Sequence, residues 1–285
     1  MHPKSGEKVR QPAWAGAFYP GSASELKNMV MTLLDQAPEI QPAGRLLGLI
    51  VPHAGYIYSG ATAAVAYKQL RSLAVQTVVL LAPSHAVLVE GVSVYDGEYY
   101  ATPLGRVPVD TELAQRLVVQ SPRFHLSEKG HSAAGGRAEH SLEVQLPFLQ
   151  LALASSFQIV PIVFHDYRQS VCQELGKALS PLCQEGVLLV ASSDLYHGYS
   201  YKSCTSSDER TLQAIQALDV ERFCQGVETE LYQACGAGPI AALLPACSRH
   251  GANHVQILHH TSSADVTGQK GDWTVGYASL SVSRR

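Results

Sequence analysis

The segment "LLGLIVPHAGYIYSG" (Leu46 to Gly60) runs from a continuous apolar stretch directly into a polar, glycine-containing loop. A short apolar run bounded by turn residues is typical of a buried strand, and Pro52 marks its end just before His53. In an open α/β sheet, ligands bind outside the carboxyl ends of the strands. His53 is therefore either an incidental loop residue or a side chain that the strand delivers to a site, and the other strand ends discriminate between these readings.

Apolar runs and helical patterns alternate along the rest of the chain. Further buried strands are predicted within "VQTVVLLAPSH", "FQIVPIVF" and "GVLLVASSD", and helices over Ser22–Ala37, Arg168–Leu182 and Ser206–Leu218. Continuous Val/Ile/Leu strands that alternate with helices favour an α/β fold whose central β-sheet is mainly parallel or mixed and covered by helices on both faces. Because no repeat or low-complexity linker interrupts the pattern, we expect a single domain over residues 1–285.

Composition restricts the classes of function. Of the 285 residues, 46% are hydrophobic and 16% are charged, and the formal net charge is −3. The chain has no dense Lys/Arg block, so nucleic-acid binding and binding to an anionic membrane are disfavoured. No apolar segment reaches membrane-spanning length, and we expect a cytoplasmic protein. The six cysteines form no CxxC pair, and most are expected to be reduced and buried.

Three predicted strands end close to a histidine. His53 follows "LLGLIVP", His85 follows "VVLLAPS", and His197 lies three residues beyond Asp194 at the end of "VLLVASSD". A lone histidine is more commonly a core residue satisfied by a backbone carbonyl. Three at equivalent strand ends favour a shared site instead, because imidazoles from separate strands are a rigid way to hold a metal.

Cys235 is a fourth candidate for the same site. It lies in "ACGAGPIAALLPA", just before a predicted helix whose early Pro239 suits a first turn. A helix N-terminus is expected to lower the pKa of the thiol and so favour the thiolate, the form that binds metal or attacks. The alternative is an inert buried cysteine.

The segment "EHSLEVQ" (Glu139 to Gln145) gathers polar side chains at the start of a predicted helix, "AEHSLEVQLPFLQLALA", which is either kinked at Pro147 or starts afresh there. His140 and Glu143 are i, i+3 neighbours. They either line the pocket with an imidazole and a carboxylate or form only a solvated helix start. The chain contains no HExxH motif, no P-loop and no GxGxxG after a strand, which disfavours zincin and nucleotide-binding functions.

The chain resembles the Memo family, also labelled AmmeMemoRadiSam system protein B. The matching segments are "AGAFYPGSASEL", "PHAGYIYSG", "APSH", "EHSLEVQLPFL", "SSDLYHGY" and "CGAGPI". They extend from Ala15 to Ile240 and so cover nearly the whole chain. The family fold is similar to that of the LigB-type class III extradiol dioxygenases, which hold non-haem iron with two histidines and a glutamate.

The resemblance implies a metal pocket formed by His53, His85 and Cys235, with His197 and Asp194 alongside it. His53 and His85 match the two dioxygenase histidines, whereas Cys235 stands where a carboxylate is expected. A thiolate is softer than a carboxylate and suits copper(I), zinc or iron. Ring-cleaving chemistry therefore does not follow from the resemblance. The family resemblance also implies an AMMECR1-type protein and a radical SAM protein as partners.

The leading hypothesis is a dioxygenase-like, metal-dependent protein of unknown substrate, with iron or copper bound and zinc as a further option. His197 is expected to act as a general base, and Asp194 as an additional ligand or as the acceptor that fixes an imidazole tautomer. Tyr56 and Tyr58 either line the pocket or pack the strand-to-helix turn.

Two other functions remain open from the sequence. One is a non-catalytic binding module that holds a metal, a small molecule or a peptide in the same cleft. The other is a zinc hydrolase, in which His197 or Glu143 would be the base.

Overall fold

The computed structural model describes residues 6–41, 43–132 and 138–285. Its strands are β1 Val9–Arg10, β2 Arg45–Val51, β3 Thr77–Pro83, β4 Val92–Val94, β5 Tyr99–Thr102, β6 Gly105–Pro108, β7 Phe124–Leu126, β8 Gln158–Phe164, β9 Val187–Ser192, β10 His197–Gly198, β11 His254–Ser262 and β12 Thr274–Arg284.

The α-helices are α1 Ala23–Gln36, α2 Tyr56–Lys68, α3 Thr111–Val118, α4 Leu146–Ala152, α5 Gln169–Leu179, α6 Tyr201–Gln216, α7 Val220–Glu228, α8 Ala237–Ser248 and α9 Ser263–Thr267. Short 3₁₀ turns span Glu143–Gln145 and Ser180–Leu182. Among the described residues, no helix is both long and apolar enough to cross a membrane.

The large sheet has the strand order β10-β12-β2-β9-β3-β8-β4-β7, with β11 paired to β12. Its centre is parallel, since β2 pairs with β9, β9 with β3, and β3 with β8 in the same direction. Antiparallel pairs flank this centre, β12 against β2 and β4 against β8. A separate three-stranded sheet has the order β1-β5-β6. The predicted α/β fold with a mainly parallel or mixed central sheet is confirmed, and the structure shows that the parallel pairs form its centre.

Helices cover both faces of the large sheet, as predicted. Side chains alternate between faces along a strand, and on β3 Val78 and Leu80 pack with α1, α2 and α4. Val79 and Leu81 point to the other face, where α5, α6, α7 and α8 complete a second core. Because both faces of β3 are buried, its sequence is a continuous apolar run instead of an alternating one.

The segment before α4 differs from the helix predicted to begin at Ala138. Residues 138–142 are not helical, a 3₁₀ turn follows, and α4 then begins at Leu146 with Pro147 in its first turn. The Glu139 carboxylate accepts hydrogen bonds from the backbone N–H groups of His140 and Ser141, at 2.9 and 3.0 Å. Such local side-chain bonds compete with helix formation, so the helix starts afresh at Leu146, with Pro147 in its first turn.

A buried ion pair fastens the N-terminal segment to this turn. The guanidinium of Arg10 contacts the Glu143 carboxylate, and both side chains are almost completely buried. Glu143 also accepts from the backbone N–H of Ala13 at 3.0 Å and of Trp14 at 2.9 Å, and from the hydroxyl of Tyr19. The carboxylate is therefore fully engaged in joining two segments that lie far apart in the sequence.

Replacing Arg10 with Met should lower the free energy of unfolding by about 3–5 kcal/mol, because it leaves the Glu143 carboxylate buried without its cation. Urea denaturation at pH 7 measures this change. Arg71→Met is the control, since it breaks the exposed Arg71–Asp35 pair of 2.8 Å, and such pairs contribute up to about 1 kcal/mol. Equal losses in the two variants would show that breaking the buried pair costs no more than breaking an exposed one, contrary to the expectation.

His131 is a buried histidine that should make stability depend on pH. Its Nε2 lies 3.1 Å from the carbonyl oxygen of Ser93 and donates to it, so Nδ1 accepts from the Tyr100 hydroxyl at 2.6 Å. Burial lowers the pKa of His131 to about 4, whereas a histidine in an unfolded chain titrates at about 6.5. The native state therefore binds fewer protons than the unfolded state between these two pH values.

The contribution of neutral, buried His131 to the free energy of unfolding is fully present above pH ~6.5. It should be lost as pH falls toward ~4, by an amount on the order of 3 kcal/mol. Urea denaturation from pH 7.5 to 4.5 checks the slope. His131→Gln keeps a donor and an acceptor but does not titrate, so its stability should fall less steeply with decreasing pH. Parallel curves for the two proteins would contradict the assignment.

Candidate metal centre

Three neighbouring parallel strands end at the same edge of the sheet and deliver the residues singled out in the sequence. His53 follows the last residue of β2 by two positions, His85 follows β3 by two, and Asp194 follows β9 by two. The structure brings the first two together, with imidazole centroids 5.1 Å apart. The Asp194 carboxylate accepts from the backbone N–H of His53 at 2.8 Å.

A third imidazole joins this pair. His140 lies in the non-helical segment before α4, and its ring centroid is 5.3 Å from that of His53 and 4.9 Å from that of His85. One ring nitrogen from each of the three histidines lies within 4.8 Å of the others. The sequence placed His140 only in the pocket wall, whereas the structure gives it the position of a potential ligand.

The tautomer of His53 follows from its neighbours. Its Nδ1 lies 2.9 Å from the Ser192 hydroxyl, and that hydroxyl donates its hydrogen to the carbonyl of Ser141 at 2.7 Å. Ser192 also accepts from the Gln145 side chain at 2.8 Å. A hydroxyl has a single hydrogen, so Ser192 must accept from His53 Nδ1. The Nε2 of His53 therefore carries the lone pair, as a metal ligand requires.

Glu139 connects the other two histidines. Its Oε1 lies 3.0 Å from Nδ1 of His85 and 3.2 Å from Nδ1 of His140. Burial raises the pKa of the carboxyl group, but the hydrogen bond from His85 and the two nearby imidazoles outweigh it and hold the pKa well below its ordinary value. Glu139 is therefore an ionised acceptor behind these rings.

Cys235 approaches the cluster from the start of α8. Its Sγ lies 3.0 Å from Nε2 of His53 and accepts from the backbone N–H of Asp194 at 3.2 Å. The expected lowering of its pKa is wrong: burial and then the Asp194 charge raise the pKa of the thiol well above its ordinary value. The helix N-terminus does not compensate for the loss of solvent. The other five cysteines are buried, and all six are free.

Asp194 and His197 lie beside the cluster in different settings. Asp194 is buried, and burial raises its pKa to about 7, although the hydrogen bond from the His53 backbone opposes the shift. Its second carboxylate oxygen is 3.9 Å from Nε2 of His53. His197 Nδ1 donates to the carbonyl of Leu195 at 2.9 Å, which leaves Nε2 as an acceptor. Burial also lowers the pKa of His197, so its imidazole is neutral at pH 7.

A cavity of about 740 Å³ opens beside these groups. Its wall contains His85, Cys235 and His197, together with His165. Sequence reasoning missed His165, although it directly follows "FQIVPIVF", the run that forms β8. The rule that selected His53 and His85 would have selected it too. Its Nδ1 lies 3.2 Å from the carbonyl of Ser84, so it also presents Nε2 as an acceptor.

Three residues that the sequence offered as pocket-lining lie elsewhere. Tyr56 is buried, and its hydroxyl donates to the carbonyl of Val144 at 2.6 Å, which is the packing role that the sequence left open. Tyr58 is 40% exposed and is not among the described residues of the cavity wall. Glu143 does not line the pocket, because its carboxylate binds Arg10 and accepts hydrogen bonds from two backbone N–H groups.

A family model described as Memo-like protein matches residues 10–281. The chain belongs to this family. A MEMO1 family protein from Nitrosopumilus maritimus is 34% identical over 277 residues, which cover 95% of this chain and 98% of that protein. Another from Methanocaldococcus jannaschii is 36% identical and covers 96% and 99%, respectively. The resemblance identified from the sequence motifs is thereby confirmed.

The fold of this Memo-like chain is also shared with a solved structure. An uncharacterized protein from Escherichia coli K12 superposes with a TM-score of 0.57 over 84% of this chain and 100% of that one. The two sequences are 19% identical, so this likeness concerns the fold alone.

In this Memo-like chain, Gly236 allows Cys235 to approach the sheet. A Cβ at position 236 would lie 2.2 Å from the carbonyl oxygen of Ser192 and 2.6 Å from Cβ of Ser193. The close approach lets the Gly236 N–H donate to the Ser193 hydroxyl at 2.9 Å, and the Cys235 N–H donate to the carbonyl of Asp194 at 3.1 Å. The start of α8 is therefore held against the end of β9.

Gly236→Ala should destabilise the protein by about 1–3 kcal/mol, because the added methyl group must displace backbone instead of a flexible side chain. It should also increase the rate at which Cys235 reacts with a maleimide, since the thiol loses its fixed contacts. Gly271→Ala is the control, as a Cβ there meets nothing within 4 Å. Unfolding measurements and mass spectrometry report both effects. Identical behaviour of the two variants would contradict the role given to Gly236.

Proposed function

We propose that this Memo-like protein binds a transition metal through His53, His85 and His140 and presents it to a small molecule in the adjoining cavity. The observation that carries the proposal is the convergence of three ring nitrogens within 4.8 Å of one another. Imidazoles that converge from separate segments of a rigid scaffold are a common way to hold a transition metal. The contact with Ser192 supports the proposal, because it fixes His53 in the neutral tautomer whose Nε2 carries the lone pair.

The donor set fits iron, copper or zinc. Imidazole is a ligand for all three metals, and the Cys235 thiol, 3.0 Å from Nε2 of His53, adds a softer donor within reach of the same centre. When bound, such a metal supplies Lewis acidity and, if it is iron or copper, one-electron redox chemistry. We propose iron or copper, with zinc as a further option because the sulfur suits all three metals, and metal analysis decides among them.

The surrounding residues suit a substrate-binding role. The cavity of about 740 Å³ falls in the size range of small-molecule sites. His197 presents an unprotonated Nε2 at the cavity wall and would accept a proton from a bound hydroxyl or amine. Asp194 fixes the backbone of His53 and contacts Cys235 through its own backbone N–H. We therefore assign Asp194 to positioning and His197 to proton transfer.

A non-catalytic function of the same cleft is the alternative. The chain would then hold a metal or a peptide without turnover, and partnership with AMMECR1-type and radical SAM proteins remains a prediction. If metal-loaded protein consumes no oxygen with any catechol-like substrate while binding iron or copper stoichiometrically, the binding function is favoured. A zinc-loaded protein that hydrolyses a chromogenic ester would favour hydrolysis instead.

Protein purified without oxygen should contain close to one equivalent of metal, measured by inductively coupled plasma mass spectrometry. His53→Ala and His140→Ala should each reduce the content to less than about a tenth, and Cys235→Ala should reduce it less, because the sulfur lies outside the three-histidine group. His125→Ala is the control and should keep the wild-type content, as His125 is exposed on β7. Unchanged metal in the His53 and His140 variants would refute the site.

A further inference from the structure

We infer that Asp208 is the positioning residue for His197, and that it acts through the peptide group between Leu195 and Tyr196. The inference rests on the proposed proton-transfer role of His197. Asp208 lies on α6 and is not among the described residues of the cavity wall. It therefore acts on His197 from behind and does not touch a bound molecule.

His197 and Asp208 bind the two polar groups of one peptide unit. Nδ1 of His197 donates to the carbonyl of Leu195 at 2.9 Å, and Oδ1 of Asp208 accepts from the N–H of Tyr196 at 3.0 Å. This carbonyl and this N–H belong to a single planar, trans peptide group, in which they point in opposite directions. The Asp208 carboxylate therefore fixes the rotation of the peptide plane, and with it the direction of the carbonyl that holds the His197 ring.

The Leu195 carbonyl determines which ring nitrogen His197 offers to the cavity. A carbonyl oxygen only accepts hydrogen bonds, so Nδ1 carries the hydrogen and Nε2 the lone pair. Hydrogen bonds in a chain polarise one another, and a carboxylate at the Tyr196 N–H makes the carbonyl at the other end of the peptide a stronger acceptor. Asp208 thereby favours the tautomer that proton acceptance by Nε2 requires.

The electrostatic effect on His197 agrees with these contacts. Burial lowers the pKa of His197, whereas the hydrogen bond to Leu195 and the charge of Asp208 oppose this shift. The nearby His85 adds to the lowering. Asp208 therefore keeps the buried imidazole a better proton acceptor than burial alone would allow.

Asp208 is itself held firmly in place. The residue is completely buried, and its Oδ2 accepts from Nε2 of His260 at 2.9 Å and from the thiol of Cys204 at 3.5 Å. Gly276 leaves room for the carboxylate, because a Cβ at that position would overlap with Oδ2. The contacts of Oδ2 thus anchor the side chain, and Oδ1 is directed at the Tyr196 N–H.

The backbone on either side of this peptide group is held independently of Asp208. The N–H of Leu195 donates to the carbonyl of Gly276 at 2.8 Å, and the N–H of Gly276 donates to the carbonyl of Tyr196 at 2.9 Å. The loop should therefore stay paired with β12 when Asp208 is replaced. Only the peptide group between Leu195 and Tyr196 loses its acceptor.

Histidine tautomers test the inference in protein that is free of metal. Long-range ¹H–¹⁵N correlation spectra of chelator-treated wild-type protein should show hydrogen on Nδ1 of His197. In Asp208→Leu, which removes the acceptor, His197 should gain the Nε2-protonated form. Asp208→Asn should restore the wild-type tautomer, because its amide oxygen accepts from the Tyr196 N–H. Hydrogen on Nε2 of His197 in the wild-type protein would overturn the inference, even if neither variant folds.

Amide hydrogen exchange, followed by NMR, measures the contact with the peptide group directly. The Tyr196 N–H should exchange about 10–100-fold faster in Asp208→Leu than in wild type, the factor that corresponds to loss of a hydrogen bond to a charged group. The Leu195 N–H, held by Gly276, should change less. Asp35→Leu, which removes an exposed carboxylate paired with Arg71, should match wild type at both positions. Unchanged exchange at Tyr196 in Asp208→Leu would overturn the positioning role.

His260→Gln separates an effect through the peptide group from a general loosening of α6. This variant removes the partner of Oδ2 and leaves Oδ1 in contact with Tyr196, so His197 should keep its wild-type tautomer. A tautomer change as large as that in Asp208→Leu would show that packing of α6 against β11 orients His197, which would overturn the inference. If wild-type protein binds no metal, the proposed function fails, and the spectra of the metal-free proteins still decide whether Asp208 positions His197.

Discussion

Parallel pairing of β2 with β9, and of β9 with β3, is the constraint on which the candidate metal centre depends. The register places Val51 opposite Ser192 and Leu81 opposite Ala191, so the three chains leave the sheet at nearly the same level. His53, His85 and Asp194 follow their strands at equal offsets. A slip of one residue would turn each side chain to the opposite face, and it would disrupt the close packing of the core on each face of these strands.

The sheet edge alone supplies two histidines, and a second layer of polar contacts supplies the third. The segment 138–142 crosses the edge as non-helical chain, held by Glu139 on one side and by the Arg10–Glu143 pair on the other. Charges buried this deeply stabilise a fold only when each has its partners. The N-terminal segment therefore does more than cover the core, since Arg10 contacts both the glutamate behind the histidines and the glutamate that anchors the turn.

Much of this arrangement could be predicted from the sequence, and the exceptions have identifiable causes. The apolar runs of β2, β3 and β9 predicted that His53, His85 and Asp194 lie close together, because the ends of parallel strands meet at one edge of a sheet. His165 carried the same signal after β8 and was overlooked. The place of His140 beside His53 and His85 was hidden because its segment shows helical spacing, which does not reveal the local hydrogen bonds of Glu139 that compete with the helix. The pKa of Cys235 was predicted in the wrong direction because the helix N-terminus is visible in a sequence and burial is not.

The contact between Cys235 and His53 suggests how the centre is arranged before a metal binds. Ser192 leaves Nε2 of His53 without hydrogen, and the raised pKa of Cys235 keeps its thiol protonated, so the thiol donates to that nitrogen over 3.0 Å. A metal must replace this hydrogen bond to reach Nε2. The same contact keeps Cys235 beside the three imidazoles, and the close packing of Gly236 against β9 maintains it there. The thiol thus satisfies Nε2 of His53 without placing a further carboxyl group beside the buried Asp194.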